Sequence, residues 1–136
     1  MIGWKCKGEK MSLTNDTSCS DESLRGDIWE TELPQAVGDE LKKSPRRCVI
    51  ISADGLQSLK VKLVVPLREW KQSHENNFWC VPIDPTVKNG LIKKSTADAL
   101  QARCVSTERL CNKLGVVSAD VMENIVAALA MVIDYV

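Results

Sequence analysis

The chain has 136 residues, a length that fits one domain with its own apolar core and needs neither a disulfide framework nor a structural metal to fold. Its 18 basic and 18 acidic side chains cancel, which excludes the strongly basic composition that by itself indicates a nucleic-acid-binding protein. An anionic partner would therefore have to be met by a local basic patch. The longest apolar run, residues 125–133, is far shorter than a membrane span, so we expect a soluble protein without a membrane segment.

Six cysteines lie scattered along the chain, with no CxxC pair among them and no recognisable secretion signal before them. We therefore expect reduced thiols and a cytoplasmic location. Zinc has little support, because His74 is the only histidine, and we expect neither a metal ion nor another cofactor.

Residues 1–24 are rich in Lys, Ser, Thr, Asp and Glu and hold few apolar side chains. A segment of this composition buries too little apolar surface to offset the entropy of ordering it, so a flexible tail is predicted. Either Met1 or Met11 could be the physiological start of translation. The rest of the chain, 25–136, is predicted to be one folded domain.

Strands dominate the prediction for this domain. Alternation of apolar and polar residues over 28–33 predicts a first strand that Pro34 ends. The charge-rich residues 35–45 predict a long exposed loop. Further strands are predicted over 48–52 and 59–67, both buried on two sides, and over 78–83 and 99–106, with turns at 53–55, 84–85 and 89–90.

Two helices are predicted after the strands. Ser106 or Thr107 is expected to cap a short one that Gly115 ends. Ser118 is expected to cap the last helix, which is apolar nearly all round after Asn124. A helix of that kind needs cover on more than one side, so we expect it to pack across the strands and to be available for a subunit interface.

Residues 37–47 are the strongest candidate for a reactive segment, because they present a carboxylate, two lysines and two arginines in one loop. Cleavage of RNA by its own 2'-hydroxyl needs a base for that proton, a cation to stabilise the phosphorane and a donor to the leaving oxygen. Glu40 could supply the base, and Arg46 could grip two phosphate oxygens with its planar guanidinium. From composition alone, a solvated charged loop is the favoured alternative.

The order and spacing of short motifs from Arg25 onward resemble those of the MazF/PemK toxin family. The motifs are, in chain order, Arg25-Gly26-Asp27-Ile28-Trp29, Leu33-Pro34, Val37-Gly38-x-Glu40, a basic stretch ending in Arg46, Val49-Ile50-Ile51-Ser52-x-Asp54, Val64-Val65-Pro66-Leu67, Asn89-Gly90-Leu91, Ser95, Gln101-x-Arg103, Arg109-Leu110 and Leu114-Gly115. The resemblance implies a mainly β fold, an SH3-like barrel with a C-terminal helix. It also implies a homodimeric endoribonuclease that cuts single-stranded mRNA without a metal ion, and a cognate antitoxin whose tail occupies the RNA-binding surface.

The same resemblance assigns site residues. Arg46 falls at the family's catalytic arginine, and Glu40 falls at the loop glutamate that assists it. Gln101 and Arg103 fall in the strand that supports the dimer and the RNA groove. The resemblance therefore implies that these four residues lie in or beside the RNA-binding surface.

The sequence departs from the family pattern at two places. The family usually has Arg-Pro at the entry to the second strand, whereas here Pro45 precedes Arg46 and Arg47 follows it. Either Arg46 or Arg47 could therefore take the catalytic position. After the Val-Val-Pro-Leu motif the family typically has a catalytic threonine or serine, and this chain has Arg68. A guanidinium can stabilise phosphate charge but does not reproduce the geometry of a hydroxyl. A relative that has lost catalysis and only binds RNA or an antitoxin peptide is therefore the second hypothesis.

Lysines and arginines of the reactive segment are also candidates for RNA contacts. Lys42, Lys43 and Arg47 could hold phosphates, and a solubilising rim is the alternative for them.

Aromatic residues divide between the predicted core and the predicted surface. Trp29, with Phe78 or Trp79, is expected in the core because these residues lie in strands. Trp70 lies in a polar loop and is the candidate for stacking on a base or for an antitoxin contact. His74, in the same loop, is expected at the surface.

A third hypothesis is a gyrase poison like CcdB, which shares this fold. The chain lacks the C-terminal Trp-Gly pair typical of that group and ends with Asp134-Tyr135-Val136, so this hypothesis ranks last.

Overall fold

The residues that the computed structural model describes, 23–41 and 44–135, contain seven β-strands, one α-helix and four short 3-10 helices. The strands are β1 (Asp27–Thr31), β2 (Arg46–Ile50), β3 (Val61–Glu69), β4 (Cys80–Ile83), β5 (Ser95–Asp98), β6 (Arg103–Ser106) and β7 (Leu110–Val116). The helix, α1, spans Ala119–Val132. No helix in this part of the chain is long and apolar enough to cross a membrane.

The strands form one antiparallel sheet in the order β4-β5-β3-β2-β1-β7, with β6 paired to β3. Strand β3 is the longest, and β2 lies along one of its edges. Along the other edge, β6 pairs with residues 61–64 and β5 with residues 67–69. Strand β3 therefore carries three neighbours and connects the two ends of the sheet.

Both faces of the central strands are covered by apolar residues. Because successive side chains point to opposite faces, Ile28 and Val49 enter one apolar cluster, which includes the α1 residues Met122, Ile125 and Ala128. Their neighbours Trp29 and Cys48 enter a second cluster on the other face. This confirms the prediction of central strands buried on two sides, except that the first residues of β3 are exposed at alternate positions.

The folded domain includes two residues assigned to the tail from the sequence. Ser23 is fully buried, and its carbonyl oxygen accepts hydrogen bonds from Lys62 Nζ and Gln57 Nε2, each at 3.3 Å. The backbone N–H of Leu24 donates to the Asp27 carboxylate at 2.9 Å. The rest of the predicted tail, residues 1–22, lies outside the described residues.

Two predicted elements near the C-terminus are wrong. The predicted strand over 99–106 begins too early, because Ala99–Gln101 form a 3-10 helix and only Arg103–Ser106 form strand β6. Strand β5, Ser95–Asp98, was not predicted. The short helix ending at Gly115 is strand β7, and Ser106 caps only the 3-10 turn Thr107–Arg109. Residues 110–116 form strand β7 because they pair with the edge of β1 that β2 leaves open. Local capping signals in the sequence give no information on such a long-range partner.

The last helix forms as predicted. Ser118 Oγ accepts a hydrogen bond from Val121 N–H at 3.2 Å, which is the expected N-cap contact. Met122 and Ile125 pack against the sheet, while Val126 and Met131 keep 39% and 56% of their surfaces exposed. The helix therefore covers the sheet with one face and leaves apolar side chains available on another.

The turn before β5 touches β7 through two glycines. Gly90 has a φ of +71°, and a Cβ there would lie 2.1 Å from the Leu114 carbonyl oxygen. A Cβ on Gly115 would lie 2.4 Å from the Lys88 carbonyl oxygen. Val116 N–H donates to that same carbonyl at 2.9 Å, so the close approach is part of a hydrogen-bonded contact.

We expect Gly115→Ala to lower the free energy of unfolding by about 1–3 kcal/mol, because backbone atoms of Lys88 and Asn89 leave no room for a methyl group. Gly55→Ala is the matched control, since no atom lies within 4 Å of a Cβ there, and its effect should stay within about 0.5 kcal/mol. Urea unfolding of both variants measures the difference. Equal stabilities would contradict the described packing.

Candidate functional site

Two grooves meet at the adjoining ends of β2 and β3. The first, the basic groove, has a volume of about 500 Å³ and is lined by Glu30, Pro45, Arg46, Arg47, Leu67, Arg68, Glu69, Gly90, Ile92, Lys93, Lys94, Ser95 and Leu114. The second, the mixed groove, has a volume of about 680 Å³ and is lined by Asp39, Glu40, Leu41, Arg46, Arg68, Glu69 and Lys71. Three side chains line both grooves, Arg46, Arg68 and Glu69.

The two grooves differ in charge. Five basic side chains line the basic groove against two carboxylates, and three basic side chains line the mixed groove against three carboxylates. A chain of zero net charge thus concentrates positive charge in one place, which is the local patch that the composition required. The carboxylates of the mixed groove lie next to it.

Arg46 is the first residue of β2 and is half-buried where the two grooves meet. Its Nη1 donates a hydrogen bond to the Leu67 carbonyl oxygen at 2.9 Å, which holds the guanidinium against β3. Burial lowers the pKa of Arg46, with Arg68 and Arg47 adding to the effect and Cys48 and Asp98 opposing it. Because burial and the neighbouring cations disfavour the charge on Arg46, an anion that binds beside it would stabilise that charge.

Arg68 lies beside Arg46 and is bound to a buried carboxylate. Its Nη1 is 3.2 Å from Asp98 Oδ2, and the side chain of Arg68 is 33% exposed whereas that of Asp98 is 4% exposed. The guanidinium thus extends from an interior anchor to the grooves. The sequence predicted Arg68 as a site residue and gave no sign of Asp98.

Glu40 lies on the exposed loop between β1 and β2 and lines the mixed groove. Its Oε1 accepts the Val37 N–H at 2.8 Å, and its own N–H donates to the Val37 carbonyl oxygen at 3.2 Å. Gly38, with a φ of +60°, lies inside this turn. Gln101 Nε2 donates to the Asp39 carbonyl oxygen at 3.4 Å and so ties the same turn to the body of the protein.

The other predicted RNA contacts are spread more widely. Arg47 lines the basic groove only, whereas Gln101, Arg103 and Trp70 line neither groove. Arg103 begins β6 and pairs with Val64. Lys42 and Lys43 lie outside the described residues. The RNA-binding roles of all these residues stay predictions.

Trp70 is half-buried and packs between two charged or polar neighbours. Lys94 Nζ lies 4.5 Å from the centre of its ring, and the His74 ring meets it edge-on at 5.6 Å between centroids. Lys94 also lines the basic groove. Trp70 therefore contacts a lysine that lines the basic groove, although Trp70 itself lines neither groove.

His74 is 5% exposed, so its predicted surface location is wrong. Its Nδ1 accepts the Lys71 N–H at 3.2 Å and lies 2.8 Å from Thr96 Oγ1. Because Nδ1 accepts a hydrogen bond from a backbone N–H, this nitrogen carries no proton, and the Thr96 hydroxyl acts as a second donor to it. The neutral ring is therefore assigned its proton on Nε2. Burial lowers the pKa of His74, and the cations Arg68 and Lys71 lower it further against the opposing effect of Asp98.

Core positions of the aromatic residues agree with the sequence analysis for Trp29, which is 3% exposed, and for Trp79, which packs against the larger cluster. Phe78 is 51% exposed and contacts Trp79 edge-on at 5.1 Å.

Thiols near the site are poor nucleophiles. Burial raises the pKa of Cys48 to about 12, and burial together with Asp98 raises the pKa of Cys80. Cys48, Cys80 and Cys104 are free, as expected, whereas Cys111 is disulfide-bonded, which corrects the expectation of reduced thiols at that position.

Among residues 23–41 and 44–135, no three His, Cys, Asp or Glu side chains lie close enough together to hold a metal ion.

Several groove residues escaped the sequence analysis. They are Lys71, Lys93, Lys94 and Glu69, all exposed. The buried Asp98, which contacts Arg68 but lines neither groove, was also missed. Lys93 and Lys94 form a basic pair shortly after the Asn89-Gly90 turn, and this was the one local signal that could have drawn attention to them. Asp98 lacked any signal, because its importance comes from β5 pairing with β3.

The fold and the grooves define a small, mainly β protein with a groove in which basic side chains outnumber carboxylates. Residues 24–133 match the family model described as the PemK-like, MazF-like toxin of type II toxin-antitoxin systems. The chain therefore belongs to this toxin family, as the motifs predicted. A search of curated protein sequences gives no match.

Solved structures of low sequence identity share the fold. A MazF structure from Deinococcus radiodurans aligns with a TM-score of 0.67 at 14% identity, covering 82% of this chain and 96% of that one. An endoribonuclease in complex with its cognate antitoxin, from Mycobacterial species, gives 0.64 at 18% identity, with 82% and 95% covered. The Mycobacterium tuberculosis toxin MazF-mt6 gives 0.63 at 17% identity, with 79% and 96% covered. The predicted fold class, a MazF-type SH3-like barrel with a C-terminal helix, is confirmed.

We expect the free energy of unfolding to fall as the pH drops below about 6.5, the ordinary pKa of histidine, until it passes the lowered pKa of folded His74. In that interval the unfolded chain binds a proton that the folded chain does not, and protonation of Nδ1 would break the hydrogen bond that it accepts from Lys71 N–H. Urea unfolding between about pH 5 and 7 measures the slope. His74→Asn, which keeps an acceptor near the Nδ1 position, should flatten it, and an unchanged slope would contradict this assignment.

Proposed function

We propose that this toxin is an endoribonuclease that cleaves single-stranded RNA, including mRNA, by attack of the RNA's own 2'-hydroxyl and without a metal ion. The observation that carries the proposal is the position of Arg46, which lies where a groove rich in cations meets a groove that holds a loop carboxylate. Cleavage needs these two kinds of group on either side of one phosphate.

Each step of the reaction has a residue suited to it. Glu40 takes the proton of the 2'-hydroxyl, and the freed oxygen bonds to the adjacent phosphorus. Arg46 stabilises the charge that develops on the phosphorane oxygens, with two donors in one plane. Arg68 donates a hydrogen bond to the leaving 5'-oxygen, which then takes a proton from water. The products are a 2',3'-cyclic phosphate and a 5'-hydroxyl.

The turn around Glu40 is compatible with the role of a base. One carboxylate oxygen accepts the Val37 N–H and fixes the side chain. The carboxylate is exposed at the mixed groove, so an incoming hydroxyl can reach it. A base fixed by its own loop loses little further freedom when substrate binds.

The basic groove is suited to the RNA backbone on one side of the cleaved phosphate. Lys93, Lys94 and Arg47 line it and offer contacts to phosphate without reading the base. Arg46 and Arg68 line both grooves, so a strand that passes from one to the other brings a phosphate directly to them.

We also propose a cognate antitoxin, a homodimer and a cytoplasmic location for this toxin. An acidic antitoxin tail would compete for the cations that hold phosphate in the basic groove. Exposed Val126 and Met131 on α1 supply apolar surface for a subunit contact. One structure with the same fold is of an endoribonuclease with its cognate antitoxin, which supports the first of these proposals.

The second candidate function is binding of RNA or antitoxin without cleavage. Arg68 favours it, because a guanidinium stands where the family typically has a small hydroxyl. Under this alternative the grooves still bind RNA, and the leaving oxygen lacks a well-placed donor.

We expect purified protein to cut a long unstructured RNA at discrete positions in excess EDTA, and Arg46→Ala to lower the cleavage rate by about 10²–10³-fold, the usual effect of removing one preorganised donor. Arg47→Ala is the matched control. It removes the neighbouring charge, which lines one groove only, and should weaken RNA binding with a smaller effect on the rate at saturation.

Other outcomes of this gel assay separate the alternatives. Unchanged cleavage by the Arg46→Ala, Arg47→Ala double variant would overturn the assignment of the catalytic arginine. A native chain that binds RNA without cutting it, together with cutting by Arg68→Thr, would establish the binding function instead.

A further inference from the structure

The ion pair between Arg68 and Asp98 places a buried carboxylate directly behind the grooves. Asp98 is the last residue of β5, and its Oδ2 accepts from Arg68 Nη1 at 3.2 Å. The register of β3 and β5 sets Arg68 opposite Thr96, so Asp98 is its diagonal neighbour on the same face of the sheet. The contact is therefore fixed by backbone pairing between two strands.

Asp98 lies outside the reach of any substrate. Its side chain is 4% exposed, and it lines neither groove. Its second oxygen, Oδ1, is buried and has no hydrogen-bond partner among the described residues. A buried carboxylate with one of its two oxygens unpaired is costly, and the cation in direct contact with Asp98 is Arg68.

The ion pair with Asp98 offsets the cost of having an arginine at position 68. A threonine or serine hydroxyl lies close to the backbone and needs little positioning, whereas an arginine has a long side chain that loses much rotamer freedom when it is fixed. Arg68 is also close enough to Arg46 for their charges to repel each other, and Asp98 attracts Arg46 as well. One buried anion thus allows two guanidinium groups to converge on one place.

We propose that Asp98 is the positioning residue that holds the Arg68 guanidinium at the junction of the two grooves, so that this chain uses an arginine–carboxylate pair where its family has a hydroxyl. The inference rests on the proposed function for the step that Arg68 serves. Asp98 itself touches no reacting atom and acts only through Arg68.

The test compares Asp98→Asn with Asp27→Asn. Asp27 is an equally buried carboxylate, 3% exposed, whose cation Lys113 lies 3.4 Å away, and neither residue lines a groove. Single-turnover cleavage over a range of RNA concentrations separates the rate at saturation from the concentration that gives half that rate. We expect Asp98→Asn to lower the saturating rate by about 10- to 100-fold with little change in half-saturation, and Asp27→Asn to leave both unchanged per folded molecule.

A double variant tests whether Asp98 works through Arg68. In an Arg68→Thr background, Asp98→Asn should no longer lower the saturating rate, because the group that it positions is gone. A residue with a merely structural role would lower the active fraction equally in both backgrounds, and that result would overturn the proposal.

A measurement that does not depend on cleavage keeps this inference separate from the proposed function. Nitrogen-15 NMR should detect slow rotation of the Arg68 guanidinium in the native protein and fast rotation in Asp98→Asn, with the Arg46 signals retained. If the native chain cuts no RNA but these signals behave as expected, the proposed function fails and the positioning by Asp98 stands. Identical Arg68 signals in the native protein and Asp98→Asn would overturn the positioning whatever the cleavage assay gives.

Discussion

The pairing of β3 with three other strands is the interaction on which both the fold and the candidate site depend. Strand β2 holds one edge of β3, and β5 and β6 share the other. Extending the register of β2 and β3 by two residues beyond the Cys48–Pro66 pair places Arg46 across from Arg68. The register of β5 then places Asp98 diagonally beside Arg68 on the same face of the sheet. Hydrogen bonds between backbones thus bring three charged side chains from three distant segments to one place.

The candidate site also illustrates how a chain of zero net charge can present a locally basic surface. The basic side chains are concentrated in one groove, and the acidic ones that line the site lie mainly in its neighbour. Positive potential in a concave surface attracts phosphate over a distance of about a Debye length, 8 Å at physiological salt. Total charge says little about such a surface, because only the local excess acts on the ligand.

Sequence reasoning gave the parts of the fold that local patterns determine. The alternation over 28–33, the apolar runs in β2 and β3, and the Ser118 cap of α1 all led to correct elements. It failed for β7, missed β5 and began β6 too early, since these strands depend on partners far away in the sequence. The two glycines that meet at 90 and 115 belong to the same class, because their close approach exists only in three dimensions.

The candidate site divides in the same way. Arg46, Glu40 and Arg68 were found from motif order, and all three line the grooves. His74 was misplaced at the surface because a polar segment hides how deeply one of its residues can pack against Thr96. Asp98 was not found at all, as a single carboxylate in a short strand gives no local sign of the arginine that it will meet.

Cleavage by the RNA's own 2'-hydroxyl is the central claim, and a substrate with one changed atom tests it most directly. A single-stranded RNA is first cut by the protein in excess EDTA to locate a cleavage position, and the same RNA is then made with a 2'-deoxynucleotide on the 5' side of that bond. The account predicts that cutting stops at the modified position and continues elsewhere, with 2',3'-cyclic phosphate and 5'-hydroxyl ends. Continued cutting at the deoxy position would contradict it, because the nucleophile would then have to come from another source.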